Sequence, residues 1–498
     1  MPSLLNQAAL ATEAFVKAMP KTQRKQYGQF FTSKETAKFM AELFCLPKNK
    51  SELEILDAGA GSGILSIALI ERLLQEGHIS RIHLTCYETD PHILPILQCN
   101  LDSLISETRT PVSYEIKTEN YITSQEDSYN DKLGTVPESK QYDMIIGNPP
   151  YMKISKNAPE AKAMSDVCHG APNLYFLFAT MGIMNLREDS EMVYIIPRSW
   201  TSGAYFKEFR KKLLSQCVIS HIHLFGSRNK VFDGEQVLQE TMILKVLKTS
   251  RKKETVTVTT SASNKDFAAL TTFHAAYDQI VKGAESYVYL ITDKEEEYAI
   301  RRLSRWEQTL KKLGLQMKTG LTVDFREKEL LRQTPGHDTI PLFFPHHIKQ
   351  GKVVFPIGKG NEYLSAQKKA LIQRNSNYLF IKRFTAKEEP RRLQCGIYLA
   401  RKYSEHAYIS TQNKINFIGG LRDLSECVVY GLYVLFNSSI YDTYYRILNG
   451  STQVNSTEMN NLPVPDLNTI EAMGKKLISR KSMAESVCNE IIENYIYE

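Results

Sequence analysis

Between residues 35 and 247 short apolar runs alternate with helix-like stretches, and that alternation limits the possible folds more than any single residue does. KETAKFMAELF reads as a helix, LEILDAG as a strand and SGILSIALIERLLQEG as a helix ending at Gly77. RIHLTCYE, VSYEIKT, YDMIIG, EMVYIIP and ISHIHLF read as further strands. Helices are expected after Pro91, at NLYFLFATMGIMNL and at AYFKEFRKKLL. Strands and helices in turn form βαβ units, which build a mostly parallel sheet covered on both faces. TMILKVLK adds an antiparallel strand to that sheet. At 498 residues the chain exceeds one ordinary core. The polar, Ser/Thr-rich run KTSRKKETVTVTTSASNKD (248–266) is read as a boundary. This gives an α/β catalytic domain over 1–248 and a mixed α+β domain over 249–498, with helices expected at 293–313, 424–438 and 467–495.

Composition excludes several classes. No stretch approaches the roughly 20 apolar residues a membrane helix needs. The N-terminal MPSLLNQAALATEAFVKAMPK lacks a basic segment followed by an apolar run, so no secretory signal is expected. Eight scattered cysteines without a C-x-x-C pair argue against a zinc site or a disulfide framework, and for a reducing cytoplasm. No metal is expected.

Positive charge is concentrated. Residues 326–402 hold 16 Lys and Arg against 6 Asp and Glu, an excess larger than the net +7 of the whole chain. A solvated face would account for it, and so would a footprint for a polyanion.

Three segments of the first domain carry chemistry. In ILDAGAGSGILSIAL, Asp57 ends a strand, and Gly59, Gly61 and Gly63 open a helix. Glycines there allow positive φ and close approach of a ligand. The spacing is G-x-G-x-G, which disfavours a pyrophosphate. In CYETDP, Glu88 ends the next strand, where a carboxylate can accept from both hydroxyls of a ribose. Capping of the following helix is the other reading of Glu88. Asp57 and Glu88 together suit a ligand with an ammonium at one end and a ribose at the other, which is S-adenosylmethionine.

The third segment is YDMIIGNPPYMKI, where a buried strand runs into Asn148-Pro149-Pro150-Tyr151. An asparagine oxygen and a proline carbonyl at the carboxyl end of a strand offer acceptors to a flat, amine-bearing group, and Tyr151 offers a ring to stack on. A nucleobase amine is a poor nucleophile because its lone pair is delocalised into the ring. Accepting both of its hydrogens localises that pair, and Pro149 and Pro150 fix the carbonyl direction beforehand. No Ser, Cys or His nucleophile is required.

KQYGQFFTS, LDAGAGSG, YETDP and IGNPPY, in that order, resemble the amino DNA methyltransferases, and within them the γ class of TaqI-like N6-adenine enzymes of type II restriction–modification systems. The likeness covers about residues 24–247 and extends loosely to STQVNSTEMNNLPVP. It implies a Rossmann-like class I S-adenosylmethionine-dependent domain followed by a target-recognition domain. It places Thr32 beside the methionine moiety, Asp57 on its amino group and Glu88 on the ribose. Asn120 stands where the family has an Asp. The resemblance implies that its carbonyl accepts from the adenine amine, with Tyr121 flanking the ring. Thr89 replaces an apolar residue beside the adenine. In GSRNKVFDGEQVLQETMILKVL, Phe232 matches an aromatic residue that contacts the flipped target base. Double-stranded DNA is the implied partner, with a cognate endonuclease that need not touch this chain, in a prokaryotic cytoplasm.

In the basic half, LFFPHHIKQGKVVFP and NYLFIKRFTAKEEPRRL interleave cations with aromatics, and ISTQNKINFIGG adds amides suited to reading bases. FIKRFTAKEEPRR resembles a segment of enzymes that modify adenine in CTGCAG sites. Three other readings stay open: an RNA methyltransferase, a glutamine N-methyltransferase and a non-catalytic DNA-binding subunit. The large basic second half argues against the glutamine enzymes. Intact Asp57, Glu88 and Asn148-Pro149-Pro150-Tyr151 argue against the non-catalytic subunit.

Overall fold

The structure is a computed structural model and describes residues 3–18, 31–47, 49–131, 133–226, 240–386, 389–449 and 452–496. The chain divides into two compact units, Met1–Thr292 and Asp293–Glu498. In the first, α1 (Leu4–Ala18) and α2 (Lys34–Glu42) precede β1 (Glu52–Ala58), α3 (Ile64–Leu73), β2 (Arg81–Tyr87), α4 (Leu94–Glu107) and β3 (Val112–Lys117). β4 (Tyr142–Gly147), α5 (Leu174–Asn185), β5 (Leu186–Pro197), α6 (Lys207–Gln216), β6 (Cys217–Phe225), β7 (Thr241–Lys248), β8 (Thr255–Ser261) and β9 (Thr271–Ala276) follow.

One nine-stranded sheet contains them all, in the order β3-β2-β1-β4-β5-β7-β6-β8-β9. β7 runs antiparallel to both of its neighbours, and β9 antiparallel to β8. The other pairs are parallel. This is the mostly parallel class I arrangement expected from the alternation, with the antiparallel strand where TMILKVLK placed it. β4 is buried at every position, as a strand covered on both faces must be. Strand order reverses between β1 and β4, and open α/β sheets bind ligands in the crevice at such a point. Asp57 pairs in register with Ile146, so the ends of β1 and β4 open into the same crevice.

The expected boundary at 248 is not where the first unit ends. β8 and β9 lie beyond it and belong to the same sheet. TVTVTTS looks like a linker because its hydroxyls look solvated, yet Val256 and Val258 are buried and the hydroxyls have partners inside. Thr259 Oγ1 lies 2.8 Å from His221 Nε2 and 2.9 Å from His223 Nδ1, and Ser261 Oγ lies 3.0 Å from His223 Nε2. Burial pushes the His221 ring down to about 4 and the His223 ring to about 3, so both are neutral at pH 7. A polar strand is stable in the interior when every group is paired.

The second unit holds a six-stranded and a five-stranded sheet with helices after them. The helix expected over 293–313 spans Lys294–Leu303, capped by Asp293, whose side chain accepts from the Glu296 N–H at 2.9 Å. The helix expected over 467–495 is two, Leu467–Arg480 and Glu485–Ile496, broken after Lys481 at φ 54°. Among the described residues, His346, His347 and Glu362 form the one group whose potential metal-ligand atoms lie within 4.8 Å of one another. His347 Nδ1 accepts from the Phe344 N–H, so its Nε2–H donates to Glu362 at 2.7 Å. Both ring nitrogens are committed, and the group reads as a buried clamp. No helix among the described residues is long and apolar enough to cross a membrane.

Candidate active site

A cavity of about 300 Å³ opens at the carboxyl ends of β1, β2 and β4, within the size range of small-molecule sites. Its wall includes Thr32, Gly59, Gly61, Glu88, Asn120, Tyr121, Asn148 and Pro150, eight of the residues expected from sequence.

The floor is built by the turn after β1. The N–H groups of Gly59 and Ala60 donate to the Tyr87 carbonyl at 2.8 and 3.0 Å, which ties the turn to β2. Gly59 and Gly61 have φ of +78° and +56°, conformations that an L side chain adopts only with strain. The Gly61 N–H donates to Glu88 Oε2 at 2.8 Å, and the Thr89 and Asp90 N–H groups donate to Oε1 at 2.8 Å each. Burial nevertheless holds the Glu88 carboxyl above its ordinary range. Three amides fix its orientation in the cavity wall. Gly63 does not line the wall: a Cβ there would meet Leu97 Cδ1 at 2.8 Å, so this glycine serves the packing of α3 against α4.

Asp57 is fully buried and is not among the lining residues. Its Oδ2 accepts from Ser66 Oγ at 2.7 Å, while Oδ1 has no hydrogen-bond partner among the described residues. Burial pushes its carboxyl from 3.8 up to about 7, opposed by Ser66 and reinforced by the charge on Glu88. An orphaned buried oxygen beside a carboxylate-lined cavity lacks a cation, and a ligand carrying an ammonium fits that deficit. Direct contact with the ammonium, as expected from sequence, is not built into this arrangement. Asp57 lies behind the wall.

The raised value has a consequence for stability. Between pH 3.8 and about 7 the folded protein holds a proton that the unfolded chain releases, so stability falls as pH rises across that window. The full effect is on the order of 4 kcal/mol. Asp57→Asn should remove it. Melting curves of wild type and variant should converge near pH 4 and separate progressively toward pH 8, with the variant higher; parallel curves would contradict the assignment.

Asn148 follows β4 directly. Its Nδ2 donates to Thr32 Oγ1 at 3.1 Å, which orients the amide. Pro150 lines the cavity; Pro149 does not, but its Cα lies 3.9 Å from where a Gly59 Cβ would stand. The Tyr151 hydroxyl donates to the Ile195 carbonyl at the end of β5 at 2.8 Å, and its ring meets Tyr175 edge-on at 6.3 Å. Tyr151 is therefore anchored beside the cavity and outside its lining. Phe232 lies outside the described residues.

Asn120 lines the wall, and both ends of its side chain have partners in the protein. Its Oδ1 accepts from the N–H groups of Ile122 and Thr123 at 3.0 and 3.2 Å, and its Nδ2 donates to Glu160 Oε1 at 2.8 Å. The Tyr121 hydroxyl donates to Asn185 Oδ1 at 2.8 Å, and its ring packs on Tyr87 and Phe178. Glu160, Leu174 and Phe178 also line the cavity and escaped the sequence reading. Phe178 and Leu174 sit on α5, which is apolar all round and therefore gives no hint of which side faces a ligand.

In the second unit the segments expected to contact DNA fare unevenly. Phe343 and Phe380 are fully buried in an aromatic core and cannot stack on a ligand. Asn416 is buried as well, donating to the Val454 carbonyl at 2.8 Å and accepting from Thr319 Oγ1 at 3.2 Å. Lys368, Arg374, Arg391 and Arg401 are held by carboxylates. An open cleft is lined by Lys349, Lys352, Lys382, Arg391 and Lys481.

The comparisons agree with this geometry. The family model described as Eco57I restriction-modification methylase matches residues 73–232. The type II methyltransferase M.PstI of Providencia stuartii is 32% identical over 478 residues, 93% of this chain and 92% of that protein. M.BsuBI of Bacillus subtilis, also a type II methyltransferase, is 32% identical over 463 residues, 91% of each. Among solved structures, the type IIL restriction-modification enzyme MmeI, determined in complex with DNA, matches with a TM-score of 0.61 at 14% identity, over 98% of this chain and 78% of that one. At that identity the likeness concerns the fold. With relatives matched nearly end to end, and a cavity whose acids suit a ribose and an ammonium, the cofactor is S-adenosylmethionine. The chain belongs to the type II DNA methyltransferases of restriction–modification systems.

Proposed function

We propose that the chain methylates N6 of an adenine flipped out of duplex DNA, within a specific site, and that residues 293–498 recognise that site. The observation that carries the reading is the position of Asn148: it follows β4 directly and lines the same cavity as the glycine turn and Glu88. S-adenosylmethionine, when bound, supplies an electrophilic methyl on a sulfonium.

The chain's own residues do the rest. Glu88, preset by three backbone amides, has both lone pairs of Oε1 engaged and accepts from the ribose through Oε2. Asp57, whose charged form burial disfavours, is drawn to ionise by a cation in front of the wall and so favours one there. Asn148, with its nitrogen given to Thr32, accepts one hydrogen of the target amine through Oδ1, and the Pro149 carbonyl accepts the other. These acceptors localise the nitrogen lone pair in the transition state. Tyr151, held through its hydroxyl, offers a ring face to the flipped base. A separate endonuclease of the same system is the expected companion, from which methylation protects host DNA.

The test is expression of the chain in a host lacking DNA methylation, followed by sequencing that reports modified bases. N6-methyladenine confined to one motif is expected, and CTGCAG is the first motif to score. Methylated cytosine, or modification of RNA alone, would refute the adenine reading.

A further inference from the structure

We propose that Glu160 is the residue that reads the exocyclic amine of the cofactor's adenine, and that Asn120 holds the Glu160 carboxylate in position. This rests on the reading of the cavity as an S-adenosylmethionine site. Relatives by resemblance carry an Asp at position 120, and an acid there can accept from the amine. Asparagine cannot do so here. A carbonyl oxygen has two lone pairs, and Asn120 Oδ1 gives one to each of the Ile122 and Thr123 amides. Those two bonds also settle which end of the side chain is oxygen. The amide nitrogen therefore points at Glu160 Oε1, 2.8 Å away.

Glu160 is placed to replace the missing acid. It sits on the short helix Pro159–Ala163, downstream of the Asn148 segment, and lines the cavity together with Thr89, Asn120 and Tyr121. It is half-buried, and its Oε2 accepts no hydrogen bond among the described residues. A carboxylate only accepts. With Oε1 occupied by Asn120, Oε2 is left for a donor, and adenine's amine is a donor of two hydrogens. A base with an oxygen at that position would set its carbonyl against the carboxylate. Sites built to hydrogen-bond one group reject the analogue lacking it strongly, because their own polar atoms are then left unpaired. In this chain the acid lies on a different segment from Asn120, and the Asn120–Glu160 bond couples the two.

Calorimetry on the full chain with S-adenosylhomocysteine and S-inosylhomocysteine tests this, since the second ligand carries an oxygen in place of the amine. Wild type should prefer the adenosyl ligand by roughly 100-fold or more. Glu160→Gln, whose amide can also donate, should weaken the adenosyl ligand about tenfold and shrink the preference by a further factor of about ten. If Glu160→Gln does not fold, Glu160→Asp, which keeps the charge and shortens the reach, should shrink the preference likewise. A preference unchanged in the variant, an equal affinity for both ligands in wild type, or a collapse instead on Glu119→Gln, which alters another acid of the same wall, overturns the proposal. Wild type binding neither ligand would refute the cofactor reading itself.

Discussion

Asn148→Ala should cut turnover severely while leaving the affinities for S-adenosylmethionine and duplex DNA close to wild type. The side chain contributes where the target nitrogen becomes pyramidal, a geometry reached only in the transition state. Its loss should therefore appear in kcat and not in KM. Removing one preoriented hydrogen-bonding group of this kind costs roughly 10²–10³ in rate. The amide nitrogen donates to Thr32, so truncation also leaves a hydroxyl without that partner, a small cost that falls on stability and not on substrate binding. Tyr151→Ala should behave differently. Its ring is held by the Ile195 carbonyl, and losing a stacking face worth ~1–3 kcal/mol should impair base extrusion as well as rate. With 2-aminopurine at the target position, the Asn148 variant should still brighten on binding as the base leaves the stack. Single-turnover rates near wild type in Asn148→Ala would refute the assigned role.

The contrast between Asn148 and Asn120 shows where sequence is informative about such a site. Asn148 follows a fully buried strand and is followed by two prolines, so its position at the sheet's crevice is dictated locally. Glu88 and the glycine turn are legible for the same reason: each ends a strand whose neighbours are set by the βαβ pattern. Asn120 is in the expected place but spends its oxygen on the next two amides, a local Asx-type turn that competes with any ligand. Its partner Glu160 lies 40 residues away, and nothing in the sequence between them announces the pairing. Asp57 is in the expected place as well, yet complete burial puts it out of the cavity wall, and burial is a property of the assembled sheet.

Domain limits failed for a related reason. A Thr-rich run with a basic leader has the composition of a linker, and β8 is nevertheless an interior strand, because His221 and His223 on β6 satisfy its hydroxyls. Partners that come from another strand are invisible to a window of composition. In the second half, segments that interleave aromatic residues with cations are expected to contact DNA. Phe343, Phe380 and Tyr398 instead pack on one another in a core. In strands with alternating faces the apolar and charged residues point apart, so interleaving in sequence separates them in space.

That separation leaves the lysines facing solvent, and their effect on DNA binding should be large and measurable. Affinity of the full chain for duplex should fall steeply with salt, by roughly 10³–10⁵ between 50 and 200 mM if six to ten phosphates are engaged. Counting all 16 cations of residues 326–402 would overstate the footprint, since Lys368, Arg374, Arg391 and Arg401 already face carboxylates. Lys349, Lys352 and Lys382 line one cleft, and the first two are cross-strand partners. Changing these three to Ala should lower the slope of log K against log salt by up to about 2.7, at ~0.9 per phosphate lost. The choice among sequences should persist, because phosphate contacts position a protein and base contacts specify the site. An unaltered slope would move the phosphate-binding surface off this cleft. An altered preference among sites, with slope intact, would make these lysines readers of bases instead.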